Sequence, residues 1–332
     1  MLRPLHGVWR ALDAARRKRG SLELDLPERR IKLDPAGRIL AIEPAAHYDS
    51  HRVIEELMIA ANVAAAETLE RLKQPCMYRV HDTPDPATLA ALREFLASLG
   101  IAGLKLAKGQ AIRPHHFNDI LRRVAGTPYA TLVNQLVLRS QAQALYSPAN
   151  IGHFGLALRR YAHFTSPIRR YSDLLVHRAL VTGHGWGAGA LPPGAAAEFP
   201  AAGEQVSMTE RRAAAAERNA SDRYLAAFLT ELVGAHFAAR VSGVTRAGLF
   251  ITLAETGASG LIPMSSLPGD YYAHEEAQHR LVGRRTRRIF TLGDALSVRL
   301  AEANAVTGSL LFALAPHEED AETPRSAPRR RR

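Results

Sequence analysis

The run Tyr161-Ala162-His163-Phe164-Thr165-Ser166-Pro167-Ile168-Arg169-Arg170-Tyr171-Ser172-Asp173 is where side chains able to do chemistry lie closest together. Thr165 and Ser166 ahead of Pro167 read as a helix start, a hydroxyl cap followed by proline in the first turn. First-turn amides carry partial positive charge, and Arg169 and Arg170 stand beside them. Free amides, hydroxyls and guanidinium groups together make an anion site suited to phosphate. A guanidinium grips two phosphate oxygens and keeps its proton, so it can stabilise charge building on a phosphorane-like state. The bland alternative is a capped helix whose arginines pair with surface acids. The residues alone leave both readings open.

Other groups offer less. Hydrolysis of a phosphodiester by two metal ions needs several carboxylates within reach of ions about 4 Å apart. Asp13, Asp25, Asp34, Asp49, Asp82, Asp119 and Asp173 are scattered, and Asp82 with Asp85 flanks Thr83-Pro84 as turn-capping residues do. No metal site is expected within this chain. His115, His116, His153, His163 and His177 lack zinc-ligand spacing, and the adjacent pair is expected to point apart. Cys76 is the only cysteine, which excludes an internal disulfide and reads as a buried helix-end residue rather than a nucleophile.

The elements that must position these groups follow from periodicity. A helix is expected over 5–18, stopped by Gly20, and then a strand over Leu22–Leu26, which alternates strictly. Ile31–Leu33 and Ile39–Ile42 form a hairpin pair around Asp34-Pro35-Ala36-Gly37. Helices are expected over 50–73, 85–99, 117–124, 130–145 and 206–232. Residues 183–203, rich in Gly, Ala and Pro, read as a surface loop with Trp186 as its one large anchor. From Gly234 the texture turns to short alternating strands with glycine turns, the pattern of a small β-barrel. The residues after 316, acidic and then Pro- and Arg-rich, read as a disordered basic tail.

Composition agrees with a phosphate-bearing partner. The chain has 332 residues, room for two domains, and a formal net charge of +11. A surplus of that size favours a polyanion through counterion release, although a GC-rich genome, which favours Arg and Ala over Lys, would produce it too. No apolar run is long enough to span a bilayer, so no membrane partner is expected. The single cysteine suits a reducing cytoplasm.

The Tyr161–Tyr171 run, with Asp173 and His177-Arg178, resembles the signature of the ribonuclease II/ribonuclease R catalytic domain. Gly152-His153-Phe154-Gly155-Leu156, Ile54-Glu55-Glu56-Leu57-Met58-Ile59-Ala60-Ala61-Asn62, Tyr78-Arg79-Val80-His81-Asp82 and Ser207-Met208-Thr209-Glu210-Arg211-Arg212-Ala213 fit the same family, in order, over roughly residues 5–315. Residues 233–315 resemble an S1-type RNA-binding domain through Ala239–Thr245, Gly248–Ile251, Gly260–Leu267 and Leu292-Gly293-Asp294. The resemblance implies an α+β chain: the C-terminal part of the catalytic domain over 1–232, mostly helical, then a five-stranded OB-type barrel.

It also implies 3′-to-5′ exoribonuclease activity, releasing nucleoside 5′-monophosphates from single-stranded or structured RNA with Mg2+. Arg169 matches the arginine on the scissile phosphate and is the expected catalytic residue. His163, Thr165, Ser166 and Arg170 are expected beside it on the RNA. Glu55 or Glu56 matches a glutamate near the 3′-terminal nucleotides; helical spacing sets Glu55 over Asn62, which favours Glu55. Glu217 matches a residue bordering the RNA channel, and Phe250 is the stacking candidate of the barrel, with barrel core as the equal alternative. Arg240, Arg285, Arg287 and Arg288 are expected to supply charge, and Tyr271-Tyr272 matches a pair in the ribonuclease R relatives. The partners implied are single-stranded RNA and the ribosome or RNA-decay machinery, with the chain a monomer. The family's aspartate-rich block and its cold-shock-type domains have no counterpart in this sequence. The expectation is a truncated gene product unable to hydrolyse RNA alone, with a non-catalytic single-strand RNA-binding protein as the alternative.

Overall fold

The computed structural model describes residues 2–26, 28–101 and 111–315, so the tail expected after 316 lies outside the described residues. Contacts divide the chain into two compact units, Met1–Glu28 with Pro44–Ala215, and Arg29–Glu43 with Ala216–Arg332. The division falls inside a helix rather than at residue 232, and it groups the early hairpin with the barrel.

The first unit is built on α1 (Leu2–Arg19), α2 (Asp49–Arg71) and, further along the chain, a short two-stranded sheet. Gly20 ends α1 with a positive φ of 77°. The expected strand at Leu22–Leu26 is absent. The segment is extended but, in place of a neighbouring strand, its backbone pairs with two side chains and, through the Leu22 N–H, with the Gly155 carbonyl (2.7 Å). Asn118 donates to the Ser21 carbonyl (2.7 Å) and accepts from the Glu23 N–H (2.9 Å), and Asn134 accepts from the Asp25 N–H (2.8 Å). Strict alternation therefore marked a strap held by two buried asparagines.

Those asparagines sit on the helices of the first core. β1 (Arg29–Leu33) and β2 (Ile39–Pro44) precede α2, and β3 (Tyr78–Val80) follows it. After them come α3 (Pro86–Ser98), α4 (Pro114–Val124) and α5 (Ala130–Ser140), packed through Leu89, Leu92 and Leu96, Phe117, Ile120 and Val124, and Val133 and Val137. The helix expected to run to 145 stops at Ser140, because Leu145–Ser147 is drawn off as β4, antiparallel to β3. A second core gathers Ala66 and Leu69 of α2, Met77 and Tyr78 beside β3, Tyr146 of β4, and Leu175, Val176 and Ala179 of α6 (Tyr171–His184). It is closed by Phe199, first residue of α7 (Phe199–Thr230). The expected loop thus ends seven residues before Val206, and its anchor is the buried Phe199. Trp186 is exposed and stacks on His184 with ring centroids 4.4 Å apart.

The second unit contains the β1–β2 hairpin, as expected, and a closed barrel. The barrel strands are β5 (His236–Thr245), β6 (Gly248–Leu253), β7 (Ser259–Pro263) and, after an inserted sheet, β11 (Ala295–Asn304) and β12 (Ser309–Leu314). The sheet between them, β8 (Tyr272–Glu275), β9 (Arg280–Gly283) and β10 (Ile289–Thr291), was not foreseen. Leu249, Ile251, Leu253, Ile262, Val298, Leu300 and Phe312 fill the barrel. Gly248 is required where β6 meets β7: at φ 141° a Cβ there would lie 2.1 Å from the Ile262 carbonyl oxygen. Arg29 of β1 donates to the carbonyls of Ala254 and Glu255, fixing the hairpin to the β6–β7 turn. Among the described residues no helix is long and apolar enough to cross a membrane.

The strap makes the first prediction. Asn118→Ala leaves the carbonyl of buried Ser21 without a partner, which costs about 1–3 kcal/mol, and releases the N–H of exposed Glu23 to water. Urea denaturation of the full chain should show a matching loss, and an unchanged midpoint would mean the strap is held by something else.

Candidate functional site

α6 begins at Tyr171, not at Thr165-Ser166, and its N-cap is Arg170, with extended backbone. The residues before it form a tight turn in which the N–H groups of Arg169 and Arg170 both donate to the Ser166 carbonyl, at 3.2 and 3.1 Å. Thr165 and Ser166 therefore do not cap the helix. Asp173, in the first turn of α6 and fully buried, instead reaches back beyond the helix start to accept from the Ser166 N–H (2.8 Å), which ties down the turn rather than capping the helix. It also accepts two bonds from Arg170, Nε to Oδ2 and Nη2 to Oδ1, both 2.7 Å. Ser172 donates to the same carboxylate at 3.3 Å.

Burial alone would raise the pKa of Asp173. The bonds from Arg170 and from the Ser166 N–H, with the Arg170 charge, outweigh it and hold the carboxyl below its ordinary value. For Arg170, burial is likewise outweighed, and its pKa lies above the ordinary arginine value. The sequence had placed both arginines on an open anion site; the structure separates them. Arg170 is bound bidentately to Asp173, whereas Arg169 is exposed at the tip of the turn, flanked by exposed Ile168 and Tyr171. The Thr165 hydroxyl oxygen is buried and finds no hydrogen-bond partner among the described residues.

Beneath the turn lies a set of stacked and hydrogen-bonded rings. Asn62, 2 % exposed, donates to the Tyr161 hydroxyl (3.1 Å) and accepts from the Phe164 N–H (2.9 Å). His163 Nδ1 bonds the Tyr146 hydroxyl at 2.8 Å, and its ring meets those of Tyr161 and Tyr146 edge-on at 5.6 and 5.5 Å. Tyr161 continues to His153 (5.3 Å) and His153 to His81 (5.0 Å). Arg79 lies over the Tyr146 ring and pairs with Glu210 at 2.7 Å. Burial, with nearby arginines adding to it, pushes His153 and His163 down to about 3. Both rings are neutral near pH 7 and serve as packing and hydrogen-bonding groups.

The expected residues divide accordingly. Arg169, Arg170, Ser166, Thr165, His163 and Asn62 come together, with Asn62 and His163 behind the turn as its support. Glu56 is buried (4 % exposed) and paired with Arg16 at 3.0 Å. Glu55 is exposed, 3.5 Å from His47. Glu55 and Asn62 share a face of α2, two turns apart, but Asn62 is buried and Glu55 exposed, because the first turns of α2 are open where its middle is covered. Glu217 and Phe250 belong to the other compact unit, where Glu217 is exposed on α7. Phe250 is 42 % exposed between buried Leu249 and Ile251, so it faces out of the barrel.

Sequence reasoning missed the part played by Asp173. Its signal was an acid three residues after an arginine at a helix start, the spacing at which a first-turn carboxylate reaches back. Arg79 and Tyr146 carried none, since only the β3–β4 pairing brings them together.

Magnesium, implied by the family resemblance, takes oxygen ligands in near-octahedral geometry, usually from more than one carboxylate or phosphate. Among the described residues no group of three or more His, Cys, Asp or Glu could hold a metal ion, and Asp173 is occupied by Arg170 and Ser166. The residues described do not fit the ion. The rings of His115 and His116 lie 4.2 Å apart rather than diverging. Burial pushes the Cys76 thiol up to about 12, which leaves it unreactive.

Residues 1–183 match the RNB domain model. The chain is 37 % identical to ribonuclease R of Escherichia coli, over 96 % of this chain and 40 % of that protein. It is 39 % identical to ribonuclease R of Aquifex aeolicus, over 97 % of this chain and 45 % of that one. The chain thus spans about two fifths of the length of these relatives. Ribonuclease R of Mycoplasma genitalium, solved in complex with ribose-methylated single-stranded RNA, superimposes with a TM-score of 0.89 at 28 % identity, over 95 % of this chain and 49 % of that one.

Two outcomes follow from this arrangement. Asp173→Ala strips Arg170 of its buried partner and should cost about 3–5 kcal/mol of stability by denaturant titration; a loss below 1 kcal/mol would show that the turn does not depend on it. The second concerns acid. The folded pKa of His153 and His163 lies below the ordinary 6.5, so the unfolded chain takes up protons first. Their contribution is complete above about pH 6.5 and falls by roughly 1.4 kcal/mol per unit for each ring as pH drops towards 3. The thermal midpoint should decline between pH 7 and 5, and a flat profile would contradict the burial of these rings.

Proposed function

The chain belongs to the ribonuclease II/ribonuclease R family, and from this we propose that it is the phosphate-gripping, strand-holding part of a 3′-to-5′ exoribonuclease acting on single-stranded or structured RNA. The observation that carries the reading is the exposed Arg169 guanidinium on a turn locked from below by buried Asp173.

A guanidinium that binds phosphate is effective when its backbone does not reorganise on contact. The Ser166 carbonyl, shared by two amides, and the Asp173 carboxylate hold the turn before RNA arrives. Arg169 can then take two phosphate oxygens, while Ile168 and Tyr171 offer apolar surface to a sugar or base. Glu55, open where Glu56 is closed, is the acid of α2 able to accept a bond from a ribose hydroxyl. The barrel order β5-β6-β7-β12-β11, closing back on β5, supports an OB-type, S1-like module. The outward face of β6 supports Phe250 as a stacking ring.

One observation favours a second reading, that this chain holds RNA without cutting it. In-line hydrolysis assisted by metal ions needs clustered carboxylates, and the described residues offer no group of three. No hydrolytic step is assigned to them.

Anisotropy with a 5′-labelled single-stranded oligoribonucleotide tests the first claim. Hydrogen bonds to charged groups contribute about 1.5–3 kcal/mol, so Arg169→Ala should weaken binding about 10- to 100-fold. Arg169→Lys should recover only part of that, because it lacks the planar fork. Unchanged affinity in Arg169→Ala would sink the proposal. The same RNA incubated with Mg2+ separates the two readings: release of nucleoside 5′-monophosphates supports a hydrolase, and intact RNA supports a holding protein.

A further inference from the structure

The turn between β9 and β10 gathers like charges on an exposed loop. Arg284, Arg285, Arg287 and Arg288 stand in a run broken only by Thr286. The turn is ordered by one carboxylate. Asp270 Oδ2 accepts from the Arg285 N–H (2.9 Å), the Thr286 N–H (2.6 Å) and the Thr286 hydroxyl (2.7 Å), while Oδ1 accepts from the Tyr271 N–H (2.7 Å). Those bonds, led by the one from the Thr286 N–H, lower the Asp270 pKa to about 2. Arg287 is held at φ +59°, where a side chain is disfavoured.

The four guanidinium groups are not equivalent. Arg285 donates to the Gly269 carbonyl (2.7 Å), and Arg288 lies over the Phe290 ring at 4.9 Å. Arg284 and Arg287 are exposed, with no bond or ion pair from either guanidinium to a described residue. Tyr271 lies directly beside Arg284, whose N–H donates to the Tyr271 carbonyl (2.9 Å). Its neighbour Tyr272 is buried against Phe290, at 5.5 Å, whereas Tyr271 is 85 % exposed.

A solvated charge run ordinarily mixes signs. Here like charges are gathered on a turn with unfavourable backbone geometry, and the one acid at its base is consumed in shaping it. Glu275, on β8, is paired with Arg280. Such an arrangement gains from a polyanion that brings several phosphates at once. The ring beside it adds a surface for an unpaired base.

We propose that the β9–β10 turn and Tyr271 form a second RNA-contact site, on a sheet outside the barrel, in which Arg284 and Arg287 take backbone phosphates of a single strand and Tyr271 stacks on one of its bases. The site rests on the RNA-binding reading above, but it uses none of the residues that carry that reading. The ring decides for a single strand, because bases within a duplex are already stacked on their neighbours.

The test uses the full chain and a 5′-fluorescein-labelled oligouridylate, with affinity measured by anisotropy from 50 to 300 mM KCl and the fold checked by circular dichroism. Each phosphate contact on a single strand contributes about 0.7 to the slope of log K against log salt. The double variant Arg284→Ala/Arg287→Ala should therefore flatten the slope by about 1.4 and weaken binding most at low salt. Tyr271→Ala and Phe250→Ala should weaken binding with the slope intact. If the double variant keeps the parent slope while Arg169→Ala still weakens binding, this site is refuted and the first reading stands. If the parent chain does not bind the oligonucleotide, both fall. If a blunt duplex displaces the strand from the parent as well as unlabelled single strand does, and the double variant abolishes that advantage, the turn reads duplex backbone and the single-strand assignment is overturned.

Discussion

The bidentate contact between Arg170 and buried Asp173 is the constraint on which the site depends. A carboxylate with no exposure is tolerated only when its lone pairs are filled and its charge is matched. Arg170 supplies both, and the Ser166 N–H fills a remaining position. The consequence reaches beyond stability. With one arginine of an adjacent pair bound downward, the backbone of the turn is fixed and the other arginine is directed outward. Two neighbouring residues of one type thus acquire opposite roles from a single acid three positions on.

The same device recurs on the inserted sheet. Asp270 gathers amide and hydroxyl donors from the loop that carries four arginines and so gives the loop its shape. The two acids differ in exposure. Asp173 is buried and its pairing is worth several kcal/mol when broken, whereas Asp270 lies in solvent and works by geometry alone. In each, the chain uses an acid to build a surface that presents base, which is how a positively charged face can be ordered without neutralising it.

Much of the fold was legible from residue patterns, because helix period and turn chemistry are local. The β1–β2 hairpin, the long α2 and the presence of a small barrel follow from spacing; the barrel's five-stranded OB-type form came from the family resemblance. What escaped depends on tertiary pairing. The Leu22–Leu26 alternation could not reveal that its backbone would be satisfied by Asn118 and Asn134, nearly a hundred residues away and more. The helix expected over 130–145 stops at Ser140, and Leu145 joins a strand because β3 supplied a partner. At the site, residue types were read more successfully than roles. Arg169, singled out for phosphate, is exposed. Arg170, Asn62 and Glu56 were grouped with it although each is held by Asp173, Tyr161 or Arg16. Periodicity predicts which way a side chain points from its helix axis. It does not predict what covers it there.

Holding a phosphate and cleaving one make different demands. Holding needs a cation whose position is set in advance, and the Ser166–Asp173 segment meets that need within a single loop and helix start. Cleavage aided by metal ions needs several acids left unpaired and converging on one point. Four acids of the first unit are engaged by arginines: Glu56 by Arg16, Glu70 by Arg160, Asp173 by Arg170 and Glu210 by Arg79. Each pairing stabilises the scaffold that supports Arg169 and, by the same contact, removes a carboxylate from service as a ligand. The grip on RNA proposed for this chain is therefore separable from the chemistry of cutting, because the proposed grip depends on satisfied acids and the cut on unsatisfied ones.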